Sequence, residues 1–223
     1  MFTPNLGILP PSARRLFPEL GSTPGEFVLY GGTALALRLG HRPSEDFDFC
    51  SSTAFDGDAL LRETPYLRGA SVLARDARTL VCRLVRGEPV RVSFFGGLPL
   101  GRVLDPDPVP DPAIRVASLL DLAATKAQVV QARSAARDYL DMDALISRAG
   151  ISLARALGAA LAVFGQGFNP ALSLKALACF GDGDLDQLPQ PVRARRLDAV
   201  RSTDLHRLPA FEPRPGLRPS ARS

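Results

Sequence analysis

The sequence is poor in lysine: its 27 basic residues are 25 arginines and two lysines, Lys126 and Lys175, in a chain also heavy in alanine, proline and glycine. Where composition drives so strongly toward arginine, a surviving lysine is a candidate for a specific task, because ammonium and guanidinium differ in size, hydration and hydrogen-bond geometry. No uninterrupted apolar run is long enough to span a bilayer. Prolines interrupt the N-terminal MFTPNLGILPPSARRLF where a signal peptide needs an apolar helix. A cytoplasmic protein without membrane attachment is expected. Cysteine is scarce as well. Cys50, Cys82 and Cys179 are odd in number, far apart and in no metal-ligand spacing, which argues against a disulfide framework and a zinc site and predicts small buried thiols.

What is present suffices for an ordinary globular protein. The 223 residues are 46% hydrophobic, enough to bury a core in one or two domains without a covalent or metal staple. A net charge of +4 is compatible with a polyanionic partner but does not demand one.

Along the chain, EFVLY (26–30) reads as a short buried strand and GGTALALRL as a helix that Gly40 closes. DFDFC (46–50) alternates polar and aromatic residues as a second strand. Asp56 to Arg62 suits a helix, and SVLARD, TLVCRLVRG and PVRVSFFGG are three further strands, with RGEP as a hairpin turn between the last two. LDPDPVPDP (104–112) cannot continue a sheet interior and marks a border. From Ile114 to about Val200 apolar residues recur at helical spacing through four or five segments. LPAFEPRPGLRPSARS then reads as an extended or disordered tail. The expected fold class is α+β: a small mixed β-sheet core with flanking helices over 1–112, a helical bundle over 113–204, and a Pro/Arg-rich tail over 205–223.

The chemistry concentrates in LYGGTALALRLGHRPSEDFDF (29–49). Amides at the start of a helix have no intrahelical partner, so those of Gly31, Gly32 and Thr33 are candidates to bind phosphate oxygens. The period of two in a strand puts Asp46 and Asp48 on one face and Phe47 and Phe49 on the other. Paired carboxylates call for a cation, and hard oxygen ligands at even spacing suit magnesium held against the same phosphates. Each signal is weak alone: a glycine pair also serves packing, and two aspartates also decorate an edge strand. In the second half, Lys126 sits amid LAATKAQVV, Arg137 and Asp141 are spaced as a helix-surface pair, and Asp138 and Asp141 repel unless a cation such as Arg133 lies nearby. Arg193, Arg195 and Arg196 offer either an anionic docking face or a solvated helix face.

Taken together, strand, glycine pair with threonine, helix and paired acids in a strand resemble the nucleotidyltransferase superfamily built on the polymerase beta-like core. More specifically, LYGGTALALRLGHRPSEDFDF is similar to the AbiEii/AbiGii nucleotidyl transferase family of bacterial toxin–antitoxin and phage-abortive systems. DLAATKAQVVQARSAARDYLDMDAL (121–145) resembles that family's helical motif, so the likeness covers roughly residues 26–200. The resemblance implies a nucleotidyltransferase core in which Gly32 and Thr33, with Gly31, hold an NTP and Asp46 and Asp48 ligate one or two Mg2+ ions, or Mn2+ in their place. It implies that Lys126 reaches the phosphates and that Asp138 orients a basic residue or assists the acceptor. The implied acceptor is RNA, tRNA ends in particular, or protein, and the implied partner is a cognate antitoxin.

One position departs from the pattern. Active members of the superfamily commonly carry a third carboxylate on a later strand, and PVRVSFF offers Ser93 there. Serine is a poor magnesium ligand and a poor base. The alternative reading is a nucleotide-binding or partner-binding protein with a degenerate site. A haloacid-dehalogenase-like phosphatase is disfavoured because HRPSE, not an apolar strand, precedes Asp46. A glycosyltransferase is disfavoured because it needs a larger nucleotide-binding domain than precedes the helices.

Overall fold

The computed structural model describes residues 2–218. They form two compact units, one of residues 2–101, 105–118 and 215–218, the other of 102–104 and 119–214. As expected, the class is α+β, with a mixed sheet in the first unit and helices in the second.

The first unit contains α1 (Pro11–Leu16), β1 (Val28–Tyr30), α2 (Gly31–Leu39), β2 (Phe47–Cys50), α3 (Gly57–Glu63), β3 (Ser71–Arg75), β4 (Thr79–Arg86), β5 (Glu88–Phe95), β6 (Asp107–Val109) and β7 (Ile114–Val116). The strands make one seven-stranded sheet in the order β3-β4-β5-β2-β1-β7-β6. Alternation decides its faces. Phe47, Phe49, Leu80, Cys82, Leu84, Val90, Val92 and Phe94 are all buried on one side, where Phe49 stacks on Phe94 with ring centroids 5.6 Å apart and Phe17 packs on Phe47 at 6.3 Å. The other side carries Asp48 on β2 beside Ser93 on β5. Asp56, the residue before α3, accepts hydrogen bonds from the amides of Asp58 and Ala59, which fixes where that helix begins.

Two local expectations are corrected. Ile114–Val116, read as the start of the helical run, is strand β7: its Ile and Val are buried, its Arg is exposed, and Leu29 of β1 pairs in parallel with Val116. A β-branched, alternating triplet satisfies a strand better than a helix. The proline-rich stretch, expected to be unable to continue a sheet interior, does keep to the outer edge as β6, where Pro108 lacks a donor without breaking an interior ladder, but it does not mark the border. The division between the units therefore falls after Ser118.

The second unit contains α4 (Leu119–Ala132), α5 (Ala136–Ser147), α6 (Leu153–Phe164), α7 (Pro170–Ala178) and α8 (Gln190–Arg201). Helix α4 is buried along most of its length through Leu120, Leu122, Ala123, Ala124, Ala127 and Val130, and packs against α5, α6 and α7. Ser152 caps α6, and Asn169 caps α7 with Pro170 at its first position. Tyr139 of α5 donates to the carbonyl of Ala176 on α7 at 3.0 Å.

The segment from 205 to 218, expected to be an extended or disordered tail, is an anchored and largely irregular one. Arg102 and Arg214 form an isolated bridge, and a methyl group at Gly158 would collide with the Pro209 carbonyl. Leu217 is 1% exposed. Backbone contacts at Pro209 and Arg214 and the buried side chain of Leu217 supply the anchoring. The remainder of the expected tail, 219–223, lies outside the described residues.

Candidate nucleotide and metal site

In the sheet unit, β1 delivers the chain directly into α2, which receives no side-chain cap from Tyr30. Gly31 adopts φ 76°, a conformation that favours glycine. Space demands glycine too, since a Cβ there would lie 2.7 Å from Asp48 Oδ2. The acid of β2 is thus packed against the first turn of α2, and β1 and β2 place Tyr30 opposite Asp48 in register.

The loop before β2 is tied to the same helix. Thr33, buried at 2% exposure, donates its hydroxyl to the Asp46 carbonyl. A hydroxyl has one proton, so the 2.7 Å contact between Thr33 Oγ1 and Ser44 Oγ is donated by Ser44. Thr33's side chain therefore fixes the entry to β2, and its backbone amide is the group left to meet a phosphate. The Asp46 carboxylate accepts from the guanidinium of Arg91 on β5. Cys50 follows on the same face, where burial and then the Asp48 charge push its thiol up to about 12. The expectation of buried thiols holds for Cys82 alone: Cys50 is half-buried and Cys179 exposed.

The structure aligns Ser93 with Asp48 as parallel neighbours, the position where the sequence suggested a third acid would stand. No group of three or more His, Cys, Asp or Glu residues able to hold a metal exists among the described residues. Two carboxylate-bearing positions remain, one packed on an uncapped helix start and the other already attracting a guanidinium. Magnesium is commonly held by one or two carboxylates together with substrate phosphates. Asp46 and Asp48 fit that donor set.

In the helical unit, Lys126 of α4 is buried, and its ammonium lies 2.7 Å from Asp138 Oδ1 and 2.5 Å from Asp141 Oδ2. Arg133 grips Asp138 with two hydrogen bonds, Nε to Oδ2 at 2.6 Å and Nη2 to Oδ1 at 3.1 Å. Both carboxylates are fully buried. Burial works to raise the Asp138 pKa, yet the Arg133 hydrogen bonds and the Lys126 charge prevail and hold it below its ordinary value. Asp141 pairs with Lys126 on the neighbouring helix, not with Arg137 as a surface pair.

The α8 arginines do not form an open basic face. Arg195 pairs with Asp143 at 2.6 Å, and Arg193 donates to the Leu188 carbonyl at 2.9 Å. Arg196, 1% exposed, lies 4.1 Å above the Tyr139 ring and 5.1 Å from Phe180. Burial pushes its guanidinium down to about 10. Sequence reasoning missed this buried cation; the alternation of arginines in PVRARRLDAV gave no sign of which one turns inward.

The sequence profile of the nucleotidyl transferase AbiEii toxin family, a type IV toxin–antitoxin system, matches residues 20–214. The chain belongs to this family. The resemblance drawn from the two motifs is therefore correct. An uncharacterized protein of Aquifex aeolicus is 33% identical over 131 residues, which span 57% of this chain and 61% of that relative. Among solved structures, MenT4, a nucleotidyltransferase toxin of Mycobacterium tuberculosis, shares the fold with a TM-score of 0.57 at 21% identity, covering 86% of this chain and 82% of MenT4. Among the described residues, no helix of this family member is long and apolar enough to cross a membrane.

Proposed function

We propose that this AbiEii family member is a magnesium-dependent nucleotidyltransferase that moves an NMP from an NTP to an RNA acceptor, tRNA ends included, or to a protein. On this reading it works in the cytoplasm as a toxin countered by a cognate antitoxin. One observation carries the proposal: the Asp48 carboxylate lies so close to Gly31, at the start of α2, that a Cβ there would come within 2.7 Å of its Oδ2. Main-chain donors and a carboxylate in such proximity suit a triphosphate accompanied by a divalent counterion.

The first-turn amides of α2 bind the β- and γ-phosphates, and Asp46 and Asp48 hold the cation. When bound, magnesium neutralises charge on the transferring phosphoryl group and on the leaving oxygens. The acceptor hydroxyl oxygen bonds to the α-phosphorus as the bridge to the β-phosphate breaks. Pyrophosphate leaves, and the acceptor's proton passes to solvent. The protein's share is positioning and charge neutralisation. The resemblance assigns Lys126 to the phosphates; its ion pairs support reading Asp138 and Asp141 as the groups that orient it.

The test is incubation with each labelled NTP, MgCl2 and total bacterial RNA or protein. Asp46→Ala combined with Asp48→Ala should lower incorporation by about a thousandfold or more. Undiminished incorporation would remove these residues from the site. Ser93 beside Asp48 favours a second reading, a binder that does not transfer. It predicts NTP binding without pyrophosphate release across all acceptors offered.

A further inference from the structure

The face of the sheet that bears Asp46 and Asp48 continues across β5 and β4. The register there is explicit: Asp48 is beside Ser93, Ser93 is opposite Val81, and Arg91 is opposite Arg83. Two guanidinium-bearing residues thus stand directly across from one another, an arrangement that costs stability unless an anion joins them. Arg91 has one, the Asp46 carboxylate. The Arg83 side chain is exposed and makes no hydrogen bond or ion pair among the described residues. Arg86 at the end of β4 is neutralised by Glu19, and Arg75 of β3 by Asp58. On β4 and β5 the residues sharing Arg83's face are Thr79, Val81, Val85, Pro89, Arg91, Ser93 and Phe95, none of them acidic.

We infer that Arg83 and Arg91 hold backbone phosphate of a nucleic-acid acceptor and lead its end to Asp46 and Asp48. The inference rests on the nucleotidyltransferase reading, takes its RNA acceptor rather than its protein one, and adds the residues that guide that acceptor to the site. The sheet order gives the reason. Strand β2 lies between β1, which leads into the glycine turn, and β5, which starts the arginine row. In phosphoryl transfer the attacking and leaving oxygens are roughly in line across the phosphorus. With the triphosphate's leaving end at the glycine turn, the acceptor enters from the side of β5 and β4. Neighbouring strands are about 4.8 Å apart, so the two guanidinium groups address a chain of anions better than a single one. Arginine's planar fork matches phosphate oxygens two at a time.

The experiment measures binding of a short fluorescein-labelled single-stranded RNA to the full-length protein across a salt series, with a DNA of the same sequence and an acidic peptide as parallel probes. Arg83→Ala should weaken RNA binding about tenfold and reduce the salt slope by about one. Arg83→Lys should restore the slope and part of the affinity. NTP affinity and melting temperature should be unchanged, because Arg83 is exposed and unpartnered. In transfer assays KM for RNA should rise while kcat holds. RNA affinity equal to wild type in Arg83→Ala would overturn the inference, as would a parallel loss of NTP affinity. Binding of the acidic peptide but not RNA, lost in Arg83→Ala, would also overturn it in favour of a protein acceptor. DNA binding equal to RNA supports the phosphate row and assigns sugar discrimination elsewhere. If wild type transfers nothing yet binds RNA through Arg83, the row stands and the transferase reading fails. If it transfers with an Arg83-independent KM, the reverse holds.

Discussion

At Gly31 a backbone requirement and a spatial one coincide, and they can be separated by comparison with Gly69. Both have positive φ, 76° and 77°, but a Cβ at Gly69 meets nothing within 4 Å whereas one at Gly31 meets Asp48 Oδ2 at 2.7 Å. Gly69→Ala should therefore lose only the cost of a left-handed alanine, about 1–2 kcal/mol, and keep nucleotide binding. Gly31→Ala should lose more, and should lose NTP affinity with it, because the added methyl must push Asp48 off the first turn of α2. Thermal melts and NTP titrations of the two variants check this; equal effects would mean that the Asp48 contact carries nothing. Cys50 gives a pH prediction at the same scale. Its folded pKa is raised to about 12 from 9.0 by burial and the Asp48 charge, so the unfolded chain releases that proton first. The stability it guards is complete below pH 9.0 and declines as pH climbs toward about 12. Urea midpoints of Cys50→Ala should fall less steeply over that interval than those of wild type.

At the scale of elements, α4 and α5 are joined by a four-residue charge network whose parts are unequal. Lys126, Asp138 and Asp141 are buried, while the Arg133 side chain is 50% exposed. Removing one member of a buried pair strands the other, at about 3–5 kcal/mol. Lys126→Met and Asp138→Asn should each cost about that much, and the double variant distinctly less than their sum; a double-mutant cycle in urea checks it. Acid should act in the same place. Asp138's pKa is lowered in the folded state, so its contribution is present above the ordinary 3.8 and is lost as pH falls through the folded value. The sequence made the helices and their motif legible because their residues are neighbours in sequence. It also made the strands legible, since period two separates Asp46 and Asp48 from Phe47 and Phe49. It identified Ser93 as the odd residue through the family resemblance, because PVRVSFF was the best of three later strands for the third acid. Strand pairing was legible only in the β4–β5 hairpin, whose turn RGEP is read from the sequence and brings Arg83 opposite Arg91. Nothing local tells Ile114 that it extends a sheet, because there register is fixed by pairing between distant segments. The partners of Lys126 were missed in part for the same reason: helix spacing suggested Arg137 for Asp141, and the packing of α4 on α5 chose Lys126.

At the scale of the whole molecule, the chain returns at its end to a unit it left long before. Residues 119–214 belong with the helices and residues 215–218 with the sheet. Composition predicted an extended or disordered tail here, since prolines and arginines dominate, without showing that it is anchored. A leucine supplies an anchor. Leu217 is 1% exposed, and its amide donates to Ser52 Oγ at 3.4 Å, two residues beyond β2. The segment is thereby attached close to β2, which carries Asp48 and follows Asp46 directly. Truncating a buried leucine to alanine costs about 2–5 kcal/mol, depending on how far the site can collapse. Leu217→Ala should therefore destabilise the sheet unit selectively. Hydrogen exchange followed by mass spectrometry locates the effect: β1, β2 and β5 should lose protection while α4, α5 and α6 keep theirs, because opening free energies differ between cooperative units. Loss of protection spread equally over both units would show that they unfold as one, and unchanged protection in the sheet would show that the terminal segment holds nothing in place.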